Sequence, residues 1–159
     1  MSLRQFVYFA LSSDRVTAGE MAAFLGIEPD ETTVRGSRRT APVALPASHR
    51  WKVVCRERGL RVDEQITEVV RRLRPHTGRV AELARRLETE EGSDGAAVLQ
   101  IVRYFNDSEE ATEHSLPVPL DQPNLFGWHL DRDVLDFLAA TRAVLDVDEY
   151  DMTPEATKD

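Results

Sequence analysis

The side chains best suited to gripping another molecule gather between residues 35 and 51. Arg35, Arg38 and Arg39 surround Gly36, and His49, Arg50 and Trp51 open the next regular stretch. A guanidinium group can hold a carboxylate or phosphate through two parallel N–H donors, and Arg and Trp are the residues that most often carry binding energy. Gly36 tolerates a backbone with φ > 0, so it can turn the chain sharply and bring the arginines together beside His49. Val34-Arg-Gly-Ser-Arg-Arg39 has one glycine and no Walker pattern, so it does not read as a nucleotide phosphate loop. The plain alternative is that Trp51 belongs to the core and the arginines are solvated.

A second set is acidic. Asp146 and Asp148 stand two apart and would share one face of a strand, with Tyr150 beyond them. Two carboxylates so placed can contribute to a Mg²⁺ or Ca²⁺ site. The competing reading is a strand whose other face, Leu145 and Val147, packs on the core while the aspartates face water.

Nucleophilic chemistry finds little support. The four histidines, His49, His76, His114 and His129, include no pair at the i, i+4 spacing of a helical metal site. Ser12, Ser13 and Asp14 with His49 would be a conceivable hydrolytic set, but no G-x-S-x-G elbow is present. Cys55 is the single cysteine, which excludes an intrachain disulfide and a cysteine metal site and agrees with a reducing compartment. Placed mid-strand on the Trp51 face, it reads as a small hydrophobe. No cofactor is expected.

The elements that must position these groups are legible in outline. Arg4–Ser12 alternates as a strand. Thr17 and Glu20 form a T-x-x-E capping box, and Gly26 then Pro29 close the helix they start, whose apolar stripe is Met21, Phe24 and Leu25. Residues 28–48, with three prolines, read as a short extended piece near Thr32–Arg35 and then a long surface loop. His49–Arg56 is a strand with Trp51, Val53 and Cys55 on one face. Val62, Ile66, Val69, Val70 and Leu73 keep the helical period up to Pro75; Val80, Leu83, Ala84 and Leu87 repeat it after a Thr77 cap. Ala96–Phe105 is the longest apolar run. Both of its faces carry large apolar groups, so it is expected as a central strand, covered at least in part on both sides. Ser115–Leu120 and Leu125–Leu130 read as short strands, the first at an edge because of Pro117 and Pro119. Asp131 caps a last helix with the stripe Val134, Leu135 and Leu138, and Val144–Tyr150 is a final strand.

These elements predict one α+β domain over residues 1–151, with a flexible tail over 152–159. The expected architecture is a two-layer sandwich, a mostly antiparallel sheet with helices packed on it. The helices after Val16-Thr17 and Leu130-Asp131 echo each other, which would give two ferredoxin-like strand–helix–strand halves.

Charge is uneven. The net charge is −8, yet residues 35–86 hold 14 Lys+Arg against 5 Asp+Glu, and residues 106–159 hold 3 against 14. Opposed faces that attract each other, or a basic patch that meets an acidic partner, both follow. The overall acidity and the lack of aromatics among the arginines, apart from Trp51, argue against nucleic acid. No run of 18 apolar residues suggests a membrane span, and the N-terminal run ends too early, at Ser12-Ser13-Asp14, for a signal peptide. A cytoplasmic protein is expected.

Three segments together resemble a known family. They are VTAGEMAAFLGIEPDETTVRG, the strand opening on His49-Arg-Trp51, and FLAATRAVLDVDEYD. Leu25, Gly26, Ile27 and Pro29, then Arg35-Gly36, Trp51, and Asp146, Asp148 and Tyr150 are similar to the pattern of the small bacterial family known as domain of unknown function 4279. The resemblance covers roughly residues 5–151. It implies an α+β cytosolic domain without an assigned activity; by analogy, some such families are suspected immunity or partner-binding proteins. The expectation is therefore a partner-binding module without catalytic activity, an immunity or regulatory protein that meets a protein partner through Arg35, Gly36, Arg38, Arg39, His49 and Trp51. The alternative is a small-molecule or divalent-metal-dependent enzyme using Asp146 and Asp148.

Overall fold

A computed structural model describes residues 2–37, 47–107 and 126–154. The strands are β1 (Leu3–Ser13), β2 (Glu31–Thr33), β3 (His49–Cys55), β4 (Ala97–Phe105) and β5 (Val144–Asp151). The helices are α1 (Ala18–Leu25), α2 (Val62–Leu73), α3 (Thr77–Glu91) and α4 (Arg132–Thr141), with a 3₁₀ turn, Arg74–His76, between α2 and α3. The sheet order is β2-β3-β1-β4-β5. The first four strands pair antiparallel throughout, and only β4–β5 is parallel.

The order 2-3-1-4, with a helix between β1 and β2 and a helix pair between β3 and β4, is the ferredoxin-like split βαβ arrangement. The expected halves are thus present, but the second is β3–α2–α3–β4. The α4 unit that echoes α1 in sequence instead adds β5 in parallel beside β4. Leu125–Leu130 is expected as a strand, but its described residues, 126–130, pair with nothing in the sheet. Trp128 and Leu130 instead pack on the core as a lead into α4. The middle of the sheet is β1, and Ala97–Phe105 is an interior strand beside it, flanked by β1 and β5. Ser115–Leu120 lies outside the described residues.

Register explains the core. Phe9 sits opposite Val53 and Leu99, Leu11 opposite Trp51 and Ala97, and Val7 opposite Cys55 and Ile101. Apart from Cys55, which is half-buried, these side chains are fully buried, and they face α2, which packs on β1 and β3. Met21 and Leu25 of α1, Val80, Leu83 and Leu87 of α3, and Val134, Phe137 and Leu138 of α4 complete this layer. Phe137 meets Phe9 edge-on at 5.6 Å. In α4 the buried stripe is Val134, Phe137, Leu138 and Thr141, at i, i+3, i+4 and i+7, and Leu135 is exposed.

Local signals act as expected at α1. Thr17 Oγ1 accepts from the Glu20 N–H, the Glu20 carboxylate accepts from the Thr17 N–H at 2.8 Å, and Gly26 caps the C-terminus at φ 71°. At α3 the cap differs: His76 is the N-cap, and Thr77 begins the helix with its hydroxyl donating to Arg74 O at 2.7 Å. The chain after β5 is tied at its start, since the Met152 N–H donates to Phe105 O at 2.8 Å.

The other face of the sheet carries no helix among the described residues. Long cations cover it instead. The Arg4 guanidinium lies 4.2 Å from the Tyr104 ring centre, Lys52 Nζ 4.5 Å from Tyr8, and the Arg56 guanidinium 4.1 Å from Phe6. Tyr104 stacks on Tyr150 at 5.1 Å, and Phe6 on Tyr8 at 6.3 Å. The charged groups themselves lie over the ring faces as cation–π pairs, so the described part of this face is covered without a helix.

Candidate functional site

The basic turn follows directly from β2. The Ser37 N–H donates to Val34 O at 3.1 Å, and Gly36, third of these four residues, has φ 74°. That is the signature of a type II turn, which favours glycine at this place. A Cβ on Gly36 would meet nothing within 4 Å, so backbone torsion alone selects the residue. The turn is held against the sheet by Arg35: its N–H donates to His49 Nδ1 at 3.1 Å, and its guanidinium donates to Asp14 O at 3.2 Å. His49 stands at the start of β3, opposite Ser13 at the end of β1. Arg35 and His49 are thus brought together as the sequence suggests. Arg38 and Arg39 lie outside the described residues.

Trp51 is not at this surface. Its side chain is fully buried and its Nε1–H donates to Ile27 O at 3.2 Å, which pins the chain after α1 to β3. Strand alternation sends Trp51 and Val53 to the same helix-covered side, so the indole supports the turn from within the core and cannot touch a partner.

Ser13 and Asp14 form part of the same end of the sheet. The Ser13 hydroxyl donates to Glu91 Oε1 and accepts from the Arg15 and Val16 N–H groups at 3.1 and 2.9 Å. Glu91 also accepts from the Asp14 N–H at 2.7 Å. Ser13 is buried with its hydroxyl committed to the turn, a structural role that sequence reasoning did not find; only the fold brings residues 13 and 91 together. Burial pushes the Cys55 thiol up from its ordinary value despite a hydrogen bond from Glu57, which keeps it protonated and weakly nucleophilic.

Part of the basic segment is neutralised by the acidic residues just before it. Asp30 receives both Arg72 nitrogens, at 2.6 and 3.0 Å, and the Val54 N–H at 2.7 Å; Glu31 receives Arg56. Burial raises the Asp30 pKa, but the Arg72 and Val54 hydrogen bonds more than offset this, and the net shift is downward. Between the basic segment and the acidic end, Arg74–Asp133 at 3.3 Å is an exposed contact.

Asp146 and Asp148 do share one face of β5, beside Gln100 and Val102 of β4. Asp148 accepts from Gln100 Nε2 at 3.0 Å. No group of three metal-ligating side chains occurs among the described residues. The two carboxylates act on Tyr8 instead. Its phenol pKa is raised first by burial; Arg50 works against the rise, and Asp148 and Asp146 add to it. Arg103, on the helix side of β4, is a buried cation. Its guanidinium joins Gln5 Oε1 at 3.2 Å, Glu149 at 3.0 Å and Phe126 O at 3.4 Å, which ties β1, β4 and β5 together.

The chain matches the family model described as domain of unknown function (DUF4279) over residues 2–152. It belongs to the DUF4279 family. No curated protein and no solved structure matches it. The family match spans both the basic turn and the β5 aspartates. No helix among the described residues is long and apolar enough to cross a membrane.

Proposed function

We propose that this DUF4279 chain is a partner-binding module of the bacterial cytoplasm, of the immunity or regulatory kind, without catalytic activity of its own. Its recognition surface is the basic turn, with Arg35, Gly36, Arg38, Arg39 and His49, and its partner is a protein that presents carboxylates there. One observation carries this reading. The turn is held in place at three points, by the Ser37–Val34 bond, the Arg35–His49 bond and the Arg35–Asp14 bond, while Arg35 stays exposed. A preset turn loses little conformational freedom on binding, which favours recognition. Trp51 contributes by fixing β3 beneath the turn.

Recovery of partners from the native host, with the wild-type chain and an Arg35→Ala/Arg38→Ala/Arg39→Ala chain side by side, tests this reading. A specific protein should be recovered with the first and lost with the second. Tight binding of a metabolite in place of any protein would overturn it. The metal-dependent alternative on Asp146 and Asp148 is favoured by their common face alone. It predicts that millimolar Mg²⁺, Mn²⁺ or Ca²⁺ raises the melting temperature; the partner-binding reading predicts no change.

A further inference from the structure

The geometry points to the outer edge of β5 as a second docking site, one that accepts an extended, basic segment of another protein as an added strand. This site is independent of the basic turn. β5 is the last strand in the sheet order, and no strand pairs with its outer edge among the described residues. The Met152 N–H, directed at Phe105 O, sets the parity of the strand. N–H and C=O groups of alternate residues point to the same edge. The even-numbered residues of β5 therefore bond to β4, and Leu145, Val147 and Glu149 direct their backbone donors and acceptors outward. An edge of this kind is a template for another strand.

The two edges of the sheet differ. β2, at the far edge, has three residues, too few to template much pairing. β5 has eight, with no proline or lysine to block the approach of a strand. Its apolar side chains remain in solvent: Val144 is 48% exposed, Val147 39% and Tyr150 45%. They lie on both faces of the strand, so an added strand would cover them from both sides.

Charge selects the occupant. Asp146, Asp148, Glu149 and Asp151 give β5 four carboxylates and no basic residue. A second copy of this chain paired edge to edge would set carboxylate against carboxylate, and like charges directly opposite destabilise a strand pair. A strand that alternates Lys or Arg with apolar residues meets no such penalty. It places its cations beside Asp146 and Asp148 on the open face and its apolar groups beside Val147 on the other.

Fluorescence polarisation with a labelled peptide alternating lysine and valine, against one alternating glutamate and valine, tests this on the intact chain. The lysine peptide should bind and the glutamate peptide should not. Val147→Pro removes one outward N–H without touching a bond to β4, and should weaken the lysine peptide at least about tenfold. Asp146→Lys/Asp148→Lys should reverse the preference, and it decides the matter if Val147→Pro fails to fold. Amide hydrogen exchange should show Leu145, Val147 and Glu149 gaining protection when the peptide is added. Equal binding of both peptides, binding of neither, or undiminished binding by a folded Val147→Pro chain would overturn the proposal. So would concentration-dependent dimerisation that Val147→Pro abolishes, because it would assign the edge to a second copy. Arg35→Ala/Arg38→Ala/Arg39→Ala should leave peptide binding unchanged, which separates this site from the basic turn.

Discussion

Replacing Trp51 with alanine separates support of the turn from contact with a partner. The indole is fully buried, sits opposite Leu11 and Thr32 in the flanking strands, and donates to Ile27 O. Truncating a buried Trp to Ala costs about 3–5 kcal/mol. Loss of the hydrogen bond to the half-buried Ile27 carbonyl adds to the lost packing and places the expected value in the upper half of that range. For a chain of this size, about 2–4 °C of melting temperature accompanies each kcal/mol, so Trp51→Ala should melt about 8–20 °C lower. Urea titration gives the free energy, and a partner-binding assay well below the new melting temperature gives the affinity. Arg35→Ala removes only an exposed hydrogen bond, so it should change stability by less than about 0.5 kcal/mol. A Trp51→Ala chain with wild-type stability would refute the reasoning, because the indole would then not be core.

Three further outcomes follow from the same geometry. Gly36→Ala should cost about 1 kcal/mol in urea titration, from the positive φ alone, since no atom crowds the new methyl; a neutral result would mean the turn relaxes. Asp30 has its folded pKa below the ordinary carboxylate value, so its contribution is full above about pH 4 and is lost as pH falls through the lower folded value. Asp30→Asn should therefore flatten the acid limb of the stability–pH profile, by no more than about 1 kcal/mol because the pair is a third exposed, and an unchanged acid limb would contradict it. Spectrophotometric titration should find Tyr8 ionising above free tyrosine, and Asp148→Asn should move it back down because it removes a negative charge on the same face; no movement would show that the Asp148 charge does not act on the phenol.

Signals confined to a few residues were legible in the sequence. Thr17, Glu20 and Gly26 define α1 because a capping box and a left-handed C-cap involve neighbours within one turn. The α+β class and the strands around Trp51 and Ile101 follow from alternation over short windows. Features set by pairing between distant segments were not legible. Phe137 rather than Leu135 faces the core because Phe9 of β1 lies above it. The sequence pattern of Leu125–Leu130 suits a strand, yet its described residues, 126–130, pair with no strand, and Trp128 and Leu130 pack on the core instead. The site was half visible. Gly36 marks its own turn, but Arg35 meets His49 only because β2 lies beside β3, and the Ser13–Glu91 bond joins segments that local patterns cannot relate. Trp51 has the composition of a contact residue, and burial decides otherwise. The cations over Tyr8, Phe6 and Tyr104 emerge only from strand register.

The measurement closest to the central claim is partner affinity and melting temperature determined together for Arg35→Ala/Arg38→Ala/Arg39→Ala. A recognition role predicts an unchanged melting temperature and affinity weaker by at least about tenfold, or about 1.4 kcal/mol. Wild-type affinity in the folded triple variant would show that the turn is not the interface, and loss of the fold would show that the arginines serve the domain's own stability.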